Sequence, residues 1–167
     1  MRKRIITLTA AIIGLLGFNA CSENEETPSL EGVWQLSTVF YQNEYDIDND
    51  GIATTDLLAE YPCDYNERLT INPDGSGDRF ILSPIVWTLA PEVTYECIPG
   101  REVIHEFTWF VDSDTNEFVS VTTHGEYRYQ LFSDRIIYTV NVEAFRRAYT
   151  GDDTATDTAT FVFEKVE

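Results

Sequence analysis

Residues 67–82 read Glu67-Arg68-Leu69-Thr70-Ile71, then Asn72-Pro73-Asp74-Gly75, then Ser76-Gly77-Asp78, then Arg79-Phe80-Ile81-Leu82. The first five alternate polar and apolar, the period of a strand with one face turned inward. Asn-Pro-Asp-Gly stops that run, because Pro fixes φ, Gly opens the left-handed region, and Asn and Asp bond their own backbone. The apolar run then resumes, and strand, short turn, strand is a hairpin. The same grammar extends in both directions. Upstream, residues 34–39 begin by alternating and are rich in β-formers. Downstream, residues 79–82 are closed by Ser83-Pro84, and residues 85–89 by Ala90-Pro91. Strand-like runs follow at 103–111, 118–122, 127–132, 136–140 and 160–166. Only residues 54–60 and 143–149 have a helical pattern. The expected fold is all-β: an antiparallel up-and-down barrel of about eight to ten strands, with one or two short helices. Closure is favoured because it removes exposed strand edges. A β-sandwich is the runner-up.

Composition bounds what such a domain does. The chain has 167 residues, 43% hydrophobic and 24% charged, enough for one domain with a core and too apolar for wholesale disorder. Its 29 Asp+Glu against 11 Lys+Arg give a net charge of −18, which repels phosphate backbones and excludes nucleic acid as the main partner. Arg2, Lys3 and Arg4 are the only bases before Cys21, so the chain beyond it is more acidic still. Basic attachment to anionic lipid is therefore disfavoured too.

Those three bases open a leader. Residues 5–18 are apolar but too short for a comfortable membrane span, and residues 1–20 read as a signal peptide. Gly17-Phe18-Asn19-Ala20-Cys21 resembles the lipobox of bacterial lipoproteins, which implies acylation of Cys21 and attachment to the membrane through N-terminal lipid. An ordinary secretory peptide cut near Ala20 is the alternative. Residues 21–29 form an acidic, flexible tether with no large apolar residue after the cysteine. That acidic run also resembles the surface-export tag of some Gram-negative lipoproteins; a solvated linker is the plain alternative. The expected location is the outer membrane, lipid-anchored, on its periplasmic face or at the cell surface.

Leu30-Glu31-Gly32-Val33-Trp34-Gln35-Leu36 carries the Gly-x-Trp pattern, here Gly32 and Trp34, of a lipocalin first strand. Residues 30–167 as a whole resemble the lipocalin-like domain of small Gram-negative lipoproteins. The resemblance implies that the Trp seals the closed end beneath a basic side chain of the last strand, where this chain offers Lys165 rather than Arg. It also implies a binding module that holds a small apolar or neutral ligand. A cavity left by the aromatics is expected to be mostly apolar, with an acidic rim that selects uncharged or cationic guests.

Three further features carry chemistry. Asp46-Ile47-Asp48-Asn49-Asp50-Gly51-Ile52 resembles the start of a calcium loop: alternating carboxylates, a Gly for the turn, and the Ile52 carbonyl. Thr54 takes the ninth place, but Leu57 stands at the twelfth, leaving Asp56 or Glu60 to substitute. Structural calcium and a plain Asp/Asn-rich turn are both open readings. With Cys21 lipidated, Cys63 and Cys97 remain, and two thiols in an oxidising compartment pair, unless they are buried free thiols. A 63–97 bridge is worth about 4 kcal/mol in the chain-entropy model. In the low-complexity stretch 151–160, Asp153-Thr154-Ala155 and Asp157-Thr158-Ala159 resemble Asp-Thr-small acceptors for O-glycans at Thr154 and Thr158; a solvated loop is the alternative.

Catalytic signatures are missing. There is no G-x-S-x-G and no H-E-x-x-H, and His105 and His124 have no ligand spacing to each other or to a cysteine. No enzymatic activity is expected. The choice is between a ligand-binding barrel and a structural or accessory domain with a filled barrel, with protein partners unspecified.

Overall fold

The computed structural model describes residues 29–61, 63–88 and 94–166. The signal peptide, Cys21 and all of the tether except Ser29 lie outside them. The chain forms β1 (Gly32–Tyr45), β2 (Thr54–Asp56), α1 (Leu57–Glu60), β3 (Asn66–Ile71), β4 (Ser76–Thr88) and β5 (Thr94–Asp112). Then come β6 (Glu117–Thr122), β7 (Gly125–Leu131), β8 (Arg135–Asn141), α2 (Glu143–Thr150) and β9 (Thr158–Val166). Laterally the order is β2-β1-β3-β4-β5-β6-β7-β8-β9, every pairing antiparallel, and β9 returns to pair with β1 from Val33 to Tyr41. Eight strands thus close a barrel, and β2 is a short ninth beside the far half of β1.

β1 explains both the closure and the broken alternation in its sequence. Its register slips against β9 between Leu36 and Thr38. Trp34 and Leu36 are buried before the bulge, and Val39 and Tyr45 after it, so the inward parity changes by one. Gly32 to Gln35 pair with β3, which leaves the far half of the strand free for β2.

Several boundaries differ from the sequence reading. Ser83-Pro84 does not end a strand: β4 runs on to Thr88 and absorbs the missing proline N–H in a register shift between Ser83 and Ile85. β5 begins at Thr94, well before the apolar run at 103. Of residues 54–60, only Leu57–Glu60 are helical, because Thr54 and Asp56 pair with β1 and Asp56 also caps the helix.

The barrel has a base and a mouth. At the base, where β1 starts and β9 ends, Trp34 is 2% exposed and its indole Nε1–H donates to the Leu30 carbonyl at 2.8 Å. Lys165 lies 5.5 Å over its ring and also donates to the Ser29 carbonyl. Trp109 Nε1–H donates to the Asn72 carbonyl at 2.9 Å, which folds the 72–75 turn against the barrel. Above this floor Leu69, Ile71, Phe118, Ile136 and Phe163 are buried, each worth roughly 1.5–3 kcal/mol of transfer free energy. At the mouth, α2 covers the β1 side. Phe145 and Tyr149 pack edge-on against Tyr45 at 5.3 and 4.8 Å, and Phe145 stacks on Tyr41 at 5.8 Å. Gly151, at φ 69°, ends the helix by donating its N–H to the Arg147 carbonyl.

Candidate functional site

Away from α2 the interior is not filled. A cavity of about 90 Å³ lies between β4, β5, β6 and β7 and reaches the β6–β7 turn at the mouth. Ile81, Phe107 and the rings of Tyr127 and Tyr129 supply apolar wall. The polar lining is Arg79, Ser120 and Thr122, with His105 and His124 at the outer edge. These two imidazoles also line a surface groove with Ile104, Glu106 and Thr123. The strand period does this: Arg79 with Ile81, His105 with Phe107, Ser120 with Thr122, and Tyr127 with Tyr129 are each two residues apart, on one face of their strand.

Arg79 is held by a buried acid. Glu67 on β3 is 0% exposed; its Oε1 accepts from Arg79 Nε at 2.6 Å and its Oε2 from the Tyr65 hydroxyl at 2.6 Å. Burial works to lower the Arg79 pKa, but the Glu67 charge and hydrogen bond, together with the nearby Tyr129 and Tyr65 phenols, outweigh it, and the guanidinium is held more firmly protonated than usual. Burial, followed by the charge of Glu67, pushes the Tyr65 phenol up, so it remains a donor to the carboxylate. Both Glu67 oxygens are therefore occupied. Arg79 has spent one of its five N–H groups; its side chain is 18% exposed, and its ring-facing contact is Tyr138 at 5.7 Å. Among the described residues no other acceptor is hydrogen-bonded to it. The expectation of uncharged or cationic guests rested on an acidic rim. No Asp or Glu lines this cavity, although Glu106 lies in the groove outside it.

The Asp loop joins β1 to β2 at the mouth. Carboxylate oxygens of Asp46, Asp48 and Asp50 all lie within 4.8 Å of one another. Asn49 at φ 61° and Gly51 at φ 89° curl the backbone around them. Backbone N–H groups of Asp50, Gly51 and Ile52 donate to Asp48, Asp46 and Asp50 respectively. Asp46 Oδ1 is buried with no hydrogen-bond partner among the described residues. Asp56 does not join the cluster, since its Oδ1 accepts from Leu58 and Ala59 N–H as the cap of α1. Ile52 has its side chain in solvent, and Leu57 at the twelfth place is spent on the core. Glu60 accepts the Ile47 N–H at 2.8 Å.

Cys63 and Cys97 are joined in a disulfide, Cα to Cα 5.9 Å, linking the segment before β3 to β5. Thr154 sits in an exposed turn with its hydroxyl donating to Asp152 Oδ1 at 2.7 Å. Thr158 opens β9 opposite Asn141. Between them stands Asp157, read in the sequence only as part of an Asp-Thr-small pattern. Asp157, 1% exposed, accepts from the Gln42 N–H at 3.1 Å, the Thr158 N–H at 2.7 Å and the Tyr45 hydroxyl. The low-complexity stretch is thus anchored at its end, not wholly solvated. Arg146 and Arg147 have partners as well: Arg146 lies 5.4 Å over the Tyr45 ring, and Arg147 bonds Glu143 and the Ala155 carbonyl.

The fold and cavity define a closed eight-stranded β-barrel with a small interior site. No family model, curated protein or solved structure matches the chain.

Proposed function

We propose that this is a lipid-anchored protein of the outer membrane, attached through Cys21, whose barrel binds a small molecule in the cavity beside Arg79. One observation carries the binding reading: a partly enclosed space, open at the mouth and mostly apolar in its wall, into which a few polar groups converge, as small-molecule sites are built. The lipocalin-like resemblance of Gly32 and Trp34 agrees with it, and so does Lys165 over the Trp34 ring. The site is read as one for binding rather than turnover, since Arg79, the guanidinium in its lining, is already paired to Glu67. Native mass spectrometry of envelope-purified protein tests the binding reading: a co-purifying mass, displaced on denaturation, is expected. A bare polypeptide mass that also shows no thermal shift across a small-molecule panel would transfer the function to a structural or accessory domain. For the anchor, the native protein is expected to partition into detergent, and Cys21→Ser to be soluble or left uncleaved.

A second reading concerns calcium at Asp46, Asp48 and Asp50. It is favoured by Asp46 Oδ1, which is buried and, among the described residues, lacks the hydrogen bond that its burial demands. A hard cation with oxygen ligands would satisfy it and offset the mutual repulsion of three carboxylates. Millimolar Ca²⁺ is expected to raise the melting temperature of chelator-treated protein by roughly 3–5 °C. Asp48→Asn with Asp50→Asn abolishes that shift. An unshifted parent protein leaves the plain turn.

A further inference from the structure

From the cavity, and resting on the reading that it binds a small molecule, we infer the class of its ligand: a small carboxylate, or the carboxylate end of a larger molecule, held by Arg79. In a chain with 29 acids, the cavity lining contains no Asp or Glu. It contains a guanidinium instead. Glu67 fixes that guanidinium from behind through Nε, and both Glu67 oxygens are taken, by Arg79 and by Tyr65. The terminal edge of the fork is left without an acceptor among the described residues, and a planar fork matches a carboxylate with two parallel N–H···O bonds. Thr122 adds a hydroxyl from β6, on the far side of β5.

The Glu67–Arg79 pair has a second consequence. Because the guanidinium is pre-oriented and already desolvated on one side, little side-chain entropy is lost when a ligand arrives. Size limits the guest. About 90 Å³ is well below the several hundred of a drug-sized pocket, so only a few heavy atoms fit beside Phe107 and Ile81. Anything longer passes out between His105 and His124, the residues shared with the groove beyond. That mouth offers imidazole groups beside Glu106, the one carboxylate among the residues lining the groove.

The test uses matched pairs that differ only in charge: acetate against acetamide, and isobutyrate against isobutyramide. Each is titrated into the isotopically labelled mature domain at fixed ionic strength, with sodium chloride as the ion control. Both carboxylates are expected to shift the ring resonances of Tyr127, Tyr129, His105 and His124 with saturation, and each amide to bind at least tenfold more weakly. Arg79→Lys, which keeps a cation for Glu67 but loses the fork, reduces the carboxylate preference tenfold or more. His124→Ala, an exposed turn substitution, leaves a folded spectrum and reports the mouth if the Arg79 variant fails to fold. Amides that bind as tightly as the acids overturn the carboxylate inference and leave the binding reading standing. Carboxylate shifts that map to surface arginines, or that chloride reproduces, overturn it as well. No saturable shift from any of the four compounds, together with no co-purifying mass, removes both readings.

Discussion

Two residues show how much rests on single atoms in this barrel. Gly77 faces Phe107 across the β4–β5 ladder, and a Cβ there would lie 2.3 Å from Phe107 Cε2 and 2.5 Å from the Thr70 carbonyl oxygen. Gly77→Ala is therefore expected to cost about 3 kcal/mol in urea unfolding, through forced displacement of the ring that walls the cavity. Phe107→Leu in the same chain should restore only part of it, because the Thr70 oxygen belongs to the backbone and cannot swing away. Asp157→Ala removes the acceptor of three donors, those of Gln42, Tyr45 and Thr158, and is expected to cost about 3 kcal/mol. Asp157→Asn keeps one acceptor oxygen and should cost less than half of that; equal losses would show that the charge, not the hydrogen bonding, is what matters. Neither residue was legible in the sequence. Gly77 sits in an ordinary turn-rich stretch, and Asp157 in a repeat of Asp, Thr and Ala whose first members, Asp152 to Thr154, stay in solvent.

Among the elements, the β4–β5 hairpin is the longest and the one most in need of a tie. The Cys63–Cys97 bridge fastens it to the segment before β3, closing a loop with a sequence separation of 34. Cys63→Ser with Cys97→Ser is expected to lower the melting temperature by roughly 10 °C, following about 4 kcal/mol in the chain-entropy model. An unchanged melting temperature would mean that β3–β4 and β4–β5 pairing already restrict the unfolded chain as strongly. Pairing of these two cysteines followed in the sequence reading from their number and their compartment. Element type was legible wherever alternation met a turn, as at 67–82. Element length was not. Ser83-Pro84 carries the usual stop signal, yet a bulge carries β4 past it, and whether a proline ends a strand or bends it depends on the neighbouring strand, which local sequence does not contain.

On the scale of the whole molecule, closure puts many tyrosines out of water, and this fixes a pH dependence. Burial pushes the phenols of Tyr41, Tyr65 and Tyr129 above their ordinary value of 10.0, with the Glu67 charge adding to the effect at Tyr65. The folded state prefers them neutral, whereas the unfolded chain ionises them near pH 10. Their contribution to stability is thus fully present below about pH 10 and declines as pH rises above it. In an alkaline titration, phenolate absorbance from these three should appear late and together with loss of the β circular-dichroism signal. Early ionisation with the β signal intact would show that water already reaches them. The candidate site was the least legible part at this scale. Its lining comes from four strands, at positions where a lone Arg, two unremarkable histidines and a few hydroxyls carry no local pattern, and only the register brings Arg79 opposite His105.

The strap at the barrel's base has one more consequence. Ser29 and Leu30 are fastened to Lys165 and Trp34, so the chain enters the domain at the end opposite His105 and His124. With Cys21 acylated as proposed, the tether joins the domain at the Trp34 end, away from the opening of the cavity. A guest then arrives by diffusion through water, not by sideways transfer out of the lipid leaflet. Uptake in reconstituted vesicles should therefore track the guest's free aqueous concentration and be indifferent to how strongly it partitions into the membrane.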